Sequence, residues 1–184
     1  MGMSGGVISV GAGVPDSELN RYFQVKNTLI AFNTMVNNTG PCLQLNDGFG
    51  AERSLLPENL IIANNIMYNT VSKVPLIKGE KNSTIQWAGN IGFGSSPGYD
   101  VEEGLSKVDP DMSRGSDSLF RPSPASAARG SAVGDYPSVK IDIDGQARGG
   151  KKDIGCDQQS DAPIMNVPLT AADVGVSWPL AKAE

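Results

Sequence analysis

The chain has 184 residues, a formal net charge of −5 and no histidine, with 22 glycines, 12 prolines and only 6% aromatic residues. Without histidine, serine-histidine triads, imidazole acid–base chemistry and the common zinc sites are excluded, which leaves Lys, Arg, Tyr, Asp and Glu as candidate reactive groups. An acidic chain with no Lys/Arg run argues against nucleic acid as a partner, and any polyanion site would need its own local basic residues.

No apolar run approaches the ~20 residues of a spanning helix, so no membrane partner is expected. Met1 to Val14 is glycine-rich, with neither a basic segment nor a sustained apolar core, and does not read as a secretion signal. Cys42 and Cys156 are far apart in sequence; they could pair, but two buried free thiols are the expected state.

In chain order, Val7 to Val10 is a short predicted strand, and Gly11 to Asn20 is a turn-rich excursion containing Pro15. Tyr22 to Val36 carries two strands, Cys42-Leu-Gln-Leu45 alternates apolar and polar, and Gly48 to Pro57 is a loop. Asn59 to Tyr68 carries two more strands, followed by Pro75-Leu-Ile77 and Thr84 to Phe93. From Gly94 to Asp117 the composition shifts to Gly, Ser, Asp and Pro, a long surface loop. Ala125 to Ala132 is read as one helical turn, and Val139 to Gly145 as a strand running into a turn. Asp153-Ile-Gly-Cys156 and the tail Pro168 to Gly175 close the chain.

Two of these strand pairs are nearly the same phrase: Leu29-Ile-Ala-Phe-Asn33-Thr-Met-Val-Asn37 and Ile61-Ile-Ala-Asn-Asn65-Ile-Met-Tyr-Asn69. Gly89-Asn-Ile-Gly-Phe93 is a fainter third copy, so Asn33, Asn65 and Asn90 recur at offsets of 32 and 25 residues. Repeats of this length mean stacked units, each touching mainly its neighbours. Asparagine suits the bend because it tolerates left-handed backbone angles, and stacked amides can satisfy one another. The expected fold is all-β: a right-handed parallel β-helix of about three or four coils over residues 1–93, with an irregular capping wrap over 94–184.

Candidate chemistry is sparse. Asp109-Pro-Asp111 starts like a calcium loop, but Phe120 stands where the closing glutamate is needed, so a solvated turn is expected. Asp142-Ile-Asp144-Gly145 reads as a turn with Arg148 as salt-bridge partner, and Asp100, Glu102 and Glu103 as a solvated acidic turn. The segment Asn20 to Asn27 is richer: Arg21, Tyr22, Gln24 and Lys26 bring donors and an aromatic ring to one short strand and its lead-in turn. Cations can neutralise a uronate carboxylate, and a tyrosine face or hydroxyl can hold a sugar. Alternation puts Tyr22, Gln24 and Lys26 on one face, with Phe23 and Val25 turned to the core.

Gly13 to Asn27 running into Ile30-Ala-Phe-Asn-Thr34, and Pro57 to Asn65 after it, resemble the later coils of polysaccharide lyase family 6, which holds alginate lyases and chondroitinase B-type enzymes. Asp142 to Arg148, Lys152 to Gly155 and Pro168 to Gly175 resemble its closing segment. The resemblance implies the C-terminal part of an enzyme that cleaves uronate polysaccharides, alginate or glycosaminoglycan, by calcium-assisted β-elimination. In that family the Asn and Glu calcium ligands, the catalytic Lys and an Arg-His pair lie on earlier coils, and no residue here matches them. The resemblance therefore implies no catalytic residue and no cofactor in this chain, with calcium belonging to the intact enzyme. It carries over Tyr22 as a substrate contact, with Arg21, Gln24 and Lys26 as its neighbours, an acidic polysaccharide as partner, and a secreted or periplasmic parent. The alternative is a non-catalytic β-helix module that binds carbohydrate or serves as structure. In either case the first coil at Val7 to Val10 is expected to expose an open end and to self-associate or take a partner there, unless Met1 to Gly6 fold over it.

Overall fold

A computed structural model describes residues 5–18, 21–101, 103–167, 169 and 174. Among them run twelve strands: β1 (Ile8–Gly11), β2 (Lys26–Ala31), β3 (Thr34–Val36), β4 (Leu43–Asp47), β5 (Glu58–Ala63), β6 (Ile66–Tyr68), β7 (Ile77–Gly79), β8 (Gln86–Ala88), β9 (Asn90–Phe93), β10 (Leu105–Ser106), β11 (Met112–Arg114) and β12 (Phe120–Pro122). Three parallel sheets, β1-β4-β7, β2-β5-β8 and β3-β6-β9-β10, take one strand from each successive turn of chain. That connectivity is a parallel β-helix. No helix among the described residues is long and apolar enough to cross a membrane.

The repeat in the sequence is the register of the sheets. Ile30 lies opposite Ile62 and Ile62 opposite Trp87, while Met35 faces Met67 and Met67 faces Gly92. The side chains that alternate inward, Leu43, Leu45, Leu60, Ile62, Met67 and Ile77, are wholly buried. On the first coil Val10, Ile30 and Met35 are also buried, whereas Val7 is exposed, and among the described residues β1, β2 and β3 each pair on one edge only.

Asn33, Asn65 and Asn90 form the expected ladder. The Asn65 carboxamide oxygen accepts from the Asn33 backbone N–H at 3.0 Å and from its Nδ2 at 2.9 Å. The Asn90 oxygen accepts from Asn65 in the same two ways, at 3.0 and 2.9 Å. The left-handed backbone sits elsewhere. It falls one residue earlier, on Phe32 (φ 57°), Asn64 (φ 53°) and Gly89 (φ 62°), so the ladder asparagines are free to turn their amides along the stack. An aromatic residue in that conformation costs of order 1–3 kcal/mol and persists only where its surroundings fix it. Around Phe32 those surroundings are the Arg148 guanidinium 4.8 Å above the ring and the Tyr136 edge at 5.9 Å.

Beyond Phe93 the chain stacks once more on the coils, with Leu76 and Ile77 donating to the Ser96 and Pro97 carbonyls and β10 pairing with β9, and only then runs back over the outside of the third sheet. Ile66 and Ile91 point outward there and are covered by Ala128 and Ile154, a second small core between helix and wrap. Asn64 pairs with the backbone of Val133 through both ends of its amide, at 2.9 Å each, and Thr34 Oγ1 accepts from the Cys156 N–H at 2.9 Å. Two expectations fail in the wrap. Residues 125–132 form successive tight turns, with Ser126 N–H bonded to Ser123 and Arg129 N–H to Ser126, because the Ser126 hydroxyl takes the Ala128 N–H that a helix would need. In residues 139–145 the expected strand is reduced to a single antiparallel bridge from Ile141 to Ala147, while the expected turn is present and built on Asp142, whose carboxylate accepts from the N–H groups of Asp144, Gln146 and Gln158. The tail motif at 168–175 lies outside the described residues except for Leu169 and Val174.

Candidate functional site

The four residues singled out from the sequence lie where the excursion after β1 returns to start β2. Gly13 ties this excursion to the loop of the next coil through paired backbone bonds with Leu55, 2.7 and 3.0 Å long. A side chain at Gly13 would strike the Gln24 backbone at 2.6 Å, so a glycine is required where the two loops touch. The segment before Lys26 is not a strand, and this re-aims Phe23. Its ring is 57% exposed rather than turned to the core, while Val25 does pack against the core. Asn20, at the head of the segment, lies outside the described residues.

Each of the four has its own local partner. Gln24 donates from Nε2 to the Leu56 carbonyl at 2.8 Å, which leaves its amide oxygen as the outward group. Lys26 pairs with Glu58 at 2.8 Å, and Arg21 approaches Glu18 at 3.9 Å; all four side chains are largely exposed, so these pairs contribute at most ~1 kcal/mol each. Tyr22 is exposed, and its ring face is covered by Arg53, whose guanidinium carbon lies 3.4 Å from the ring centroid. The structure thus joins Tyr22 to a residue not among the four candidates. The 32-residue offset that links Gln24 to Leu56, Lys26 to Glu58 and Asn33 to Asn65 sets Arg53 opposite Arg21, next to Tyr22, so the period brings Arg53 to this surface without naming its contact. Alongside runs an open groove of about 370 Å³ lined by Gln24, Ser54, Pro57, Glu58, Lys81 and Thr84. Beside it Asn82 is buried, donating to the Pro57 carbonyl at 3.0 Å, while Ser83 and Thr84 are exposed.

A second polar cluster lies in the wrap. Asp142, Asp144 and Asp157 bring three carboxylates within 4.8 Å of one another, the only such group among the described residues. It does not fit calcium. Asp142 is filled by backbone N–H groups, Arg121 binds Asp144 at 2.9 Å and Asp157 at 2.7 Å, and Arg129 binds Asp157 at 3.1 Å and Asp153 at 2.7 Å. Burial alone would lower the Arg121 pKa, yet its bonds to Asp117 and Asp144 raise it above the ordinary range, and the same bond holds the Asp117 carboxyl low. Arg148, expected to pair with the aspartates, instead donates to the carbonyls of Ile141, Asp153 and Gly155 at 3.3, 3.2 and 2.7 Å. The cluster is a structural knot that fastens the wrap. Both cysteines are free, and burial pushes the Cys42 thiol up to about 11 and raises Cys156 as well.

Comparison with known proteins agrees with this architecture. The PL6 family alginate lyase AlyGC has a similar structure at a TM-score of 0.54 and 28% sequence identity, over 72% of this chain and 20% of that one. A variant of AlyGC with one arginine replaced by alanine matches at the same TM-score and 31% identity, over 62% of this chain and 15% of its own. The chain therefore spans a fifth or less of these relatives. No curated protein matches it. The family model described as Chondroitinase B matches residues 3–132, which takes in every coil of the β-helix and the whole Tyr22 surface, so the chain belongs to the chondroitinase B family of PL6-like polysaccharide lyases.

Proposed function

We propose that the chain forms the closing coils and capping wrap of a lyase acting on a uronate-containing polysaccharide, and that Arg21, Tyr22, Gln24 and Lys26 line one wall of its sugar groove. The observation that carries this reading is the family match across residues 3–132, which includes an open groove lined by Gln24 and by Glu58, the partner of Lys26. The pairs Lys26–Glu58 and Arg21–Glu18 are weak and exposed, so a polymer carboxylate can replace the protein's own. The Gln24 amide oxygen, left outward by the bond to Leu56, can accept from a sugar hydroxyl.

Elimination itself is assigned to residues outside this chain, with alginate or a glycosaminoglycan as the substrate class. In the carboxylate cluster of the wrap, Asp144 and Asp157 are already held by arginines and Asp142 by backbone N–H groups, and no step is routed through it. That same observation favours a second reading, a carbohydrate-binding β-helix module without chemistry of its own. Binding is the common test: the chain should retain polymannuronate, polyguluronate and dermatan sulfate on affinity electrophoresis but not neutral glucans. It should give no rise in unsaturated-uronate absorbance. Failure to retain any acidic polymer sinks the binding role, and clear turnover sinks the assignment of chemistry elsewhere. Coils bearing Asn, paired Glu, Lys and Arg-His in frame upstream favour the lyase over the module.

A further inference from the structure

Resting on the acidic-polysaccharide reading above, we propose that Arg53 is the anion-recognition residue of this surface. It takes a uronate carboxylate of the polymer, and Tyr22 is its positioning residue instead of a platform for the sugar ring.

Three observations converge. First, the cations at this surface differ in what they already hold. Lys26 has Glu58 at 2.8 Å and Arg21 has Glu18 at 3.9 Å, whereas Arg53 has no carboxylate in ion-pair range among the described residues. Second, Arg53 is held in place without being neutralised. Its guanidinium lies 3.4 Å over the Tyr22 ring, and it lies against Gly48, where φ is +76° and any side chain would run into the guanidinium. An arginine fixed by an aromatic face keeps its full charge and loses less rotamer freedom when it binds. Third, stacking fixes which groups stay available. The ring covers one face of the guanidinium, so its N–H donors remain at the edge, in the plane a carboxylate needs for two parallel hydrogen bonds. The Tyr22 face that holds Arg53 is closed to a sugar ring in the same state.

The geometry discriminates between charged and neutral glycans. An acidic oligosaccharide gains a bidentate contact at Arg53, and the same oligosaccharide with its carboxyls reduced to alcohols does not. One charge-assisted contact corresponds to about a 10- to 100-fold change in affinity.

The test is calorimetric titration of the whole chain with mannuronate or guluronate oligosaccharides and with their carboxyl-reduced forms. Arg53→Gln should weaken the acidic ligand at least about 10-fold and leave the reduced ligand unchanged, with the thermal midpoint retained. Arg53→Lys should recover only part of the loss, because it restores the charge without the planar fork. Tyr22→Ala should weaken acidic binding, and Tyr22→Phe, which keeps the ring, should restore most of it. Full affinity in Arg53→Gln, or in Arg53→Lys should the glutamine variant fail to fold, overturns the inference while the binding reading stands. Equal losses for acidic and reduced ligands also overturn it, since they mark a merely structural residue. An unsubstituted chain that binds no acidic oligosaccharide overturns both.

Discussion

Truncating the middle rung of the asparagine ladder should cost several times as much as truncating its first rung. Asn65 is fully buried and uses every polar position of its amide: it accepts twice from Asn33 and donates to the Ile30 carbonyl and to Asn90, both at 2.9 Å. In Asn65→Ala the Asn33 N–H and the Ile30 carbonyl lose their side-chain partner inside a closed stack. At ~1–3 kcal/mol for each stranded group, plus a small cavity, the loss is about 3–5 kcal/mol. Asn33 is half-buried, and its removal still leaves the Asn65 oxygen an N–H to accept from, so Asn33→Ala should cost about 1 kcal/mol. Asn65→Asp keeps the acceptor toward Asn33 but turns an oxygen toward the Ile30 carbonyl and the Asn90 oxygen, and should cost no less than the alanine change. Urea unfolding followed by far-ultraviolet circular dichroism, with linear extrapolation, gives the three values. Equal losses at Asn33 and Asn65 would mean that the ladder is decoration on an apolar stack, and the reasoning would fail.

The wrap and the buried thiol offer two further tests. At Gly155, φ is +92° and an added methyl would lie 2.6 Å from Thr34 Oγ1 and 2.8 Å from the Ile66 side chain, so Gly155→Ala should cost about 2–4 kcal/mol. It should speed amide exchange at Ala128, Val133 and Ile154 ahead of the coils, and unchanged exchange there would refute the contact. For Cys42, burial lifts the thiol from 9.0 to about 11. Below pH 9 both folded and unfolded chains hold the proton and the stability is intact. Between about pH 9 and 11 the unfolded chain releases it first, so stability falls, by at most about 3 kcal/mol. Tyr99 and Cys156, also raised by burial, add to the decline, so the readout is the difference in slope between the chain and Cys42→Ala. Parallel slopes would contradict a buried neutral thiol.

The solenoid was legible because its register is written as a period: Asn33, Asn65 and Asn90 announce offsets that the sheets then obey. The bends were read one residue late, since asparagine is the usual left-handed residue and nothing in a local pattern says that Phe32 would take that conformation. The wrap was poorly legible for a different reason. Its turns are set by side chains bonding backbone, as Asp142 and Ser126 do, and by arginines that choose partners across long separations. Arg148 looks like a salt-bridge residue from its neighbours in sequence, yet it bonds three carbonyls because those carbonyls line the space above Phe32. At the candidate site, composition identified Arg21, Tyr22, Gln24 and Lys26, while Arg53 required applying the 32-residue period to a loop that carries no repeat phrase.

The left-handed Phe32 ties the beginning of folding to its end. Its bend belongs to the first coil, but the groups that hold it, Tyr136 and Arg148, arrive more than a hundred residues later in synthesis. Contacts of such high sequence separation form late, because a long loop must close before they offer any return. Coils stacked from the start of the chain therefore wait with one corner unfinished until the wrap swings back across them. A protease cut in the wrap would be felt at the opposite end of the chain, as a loosened first turn.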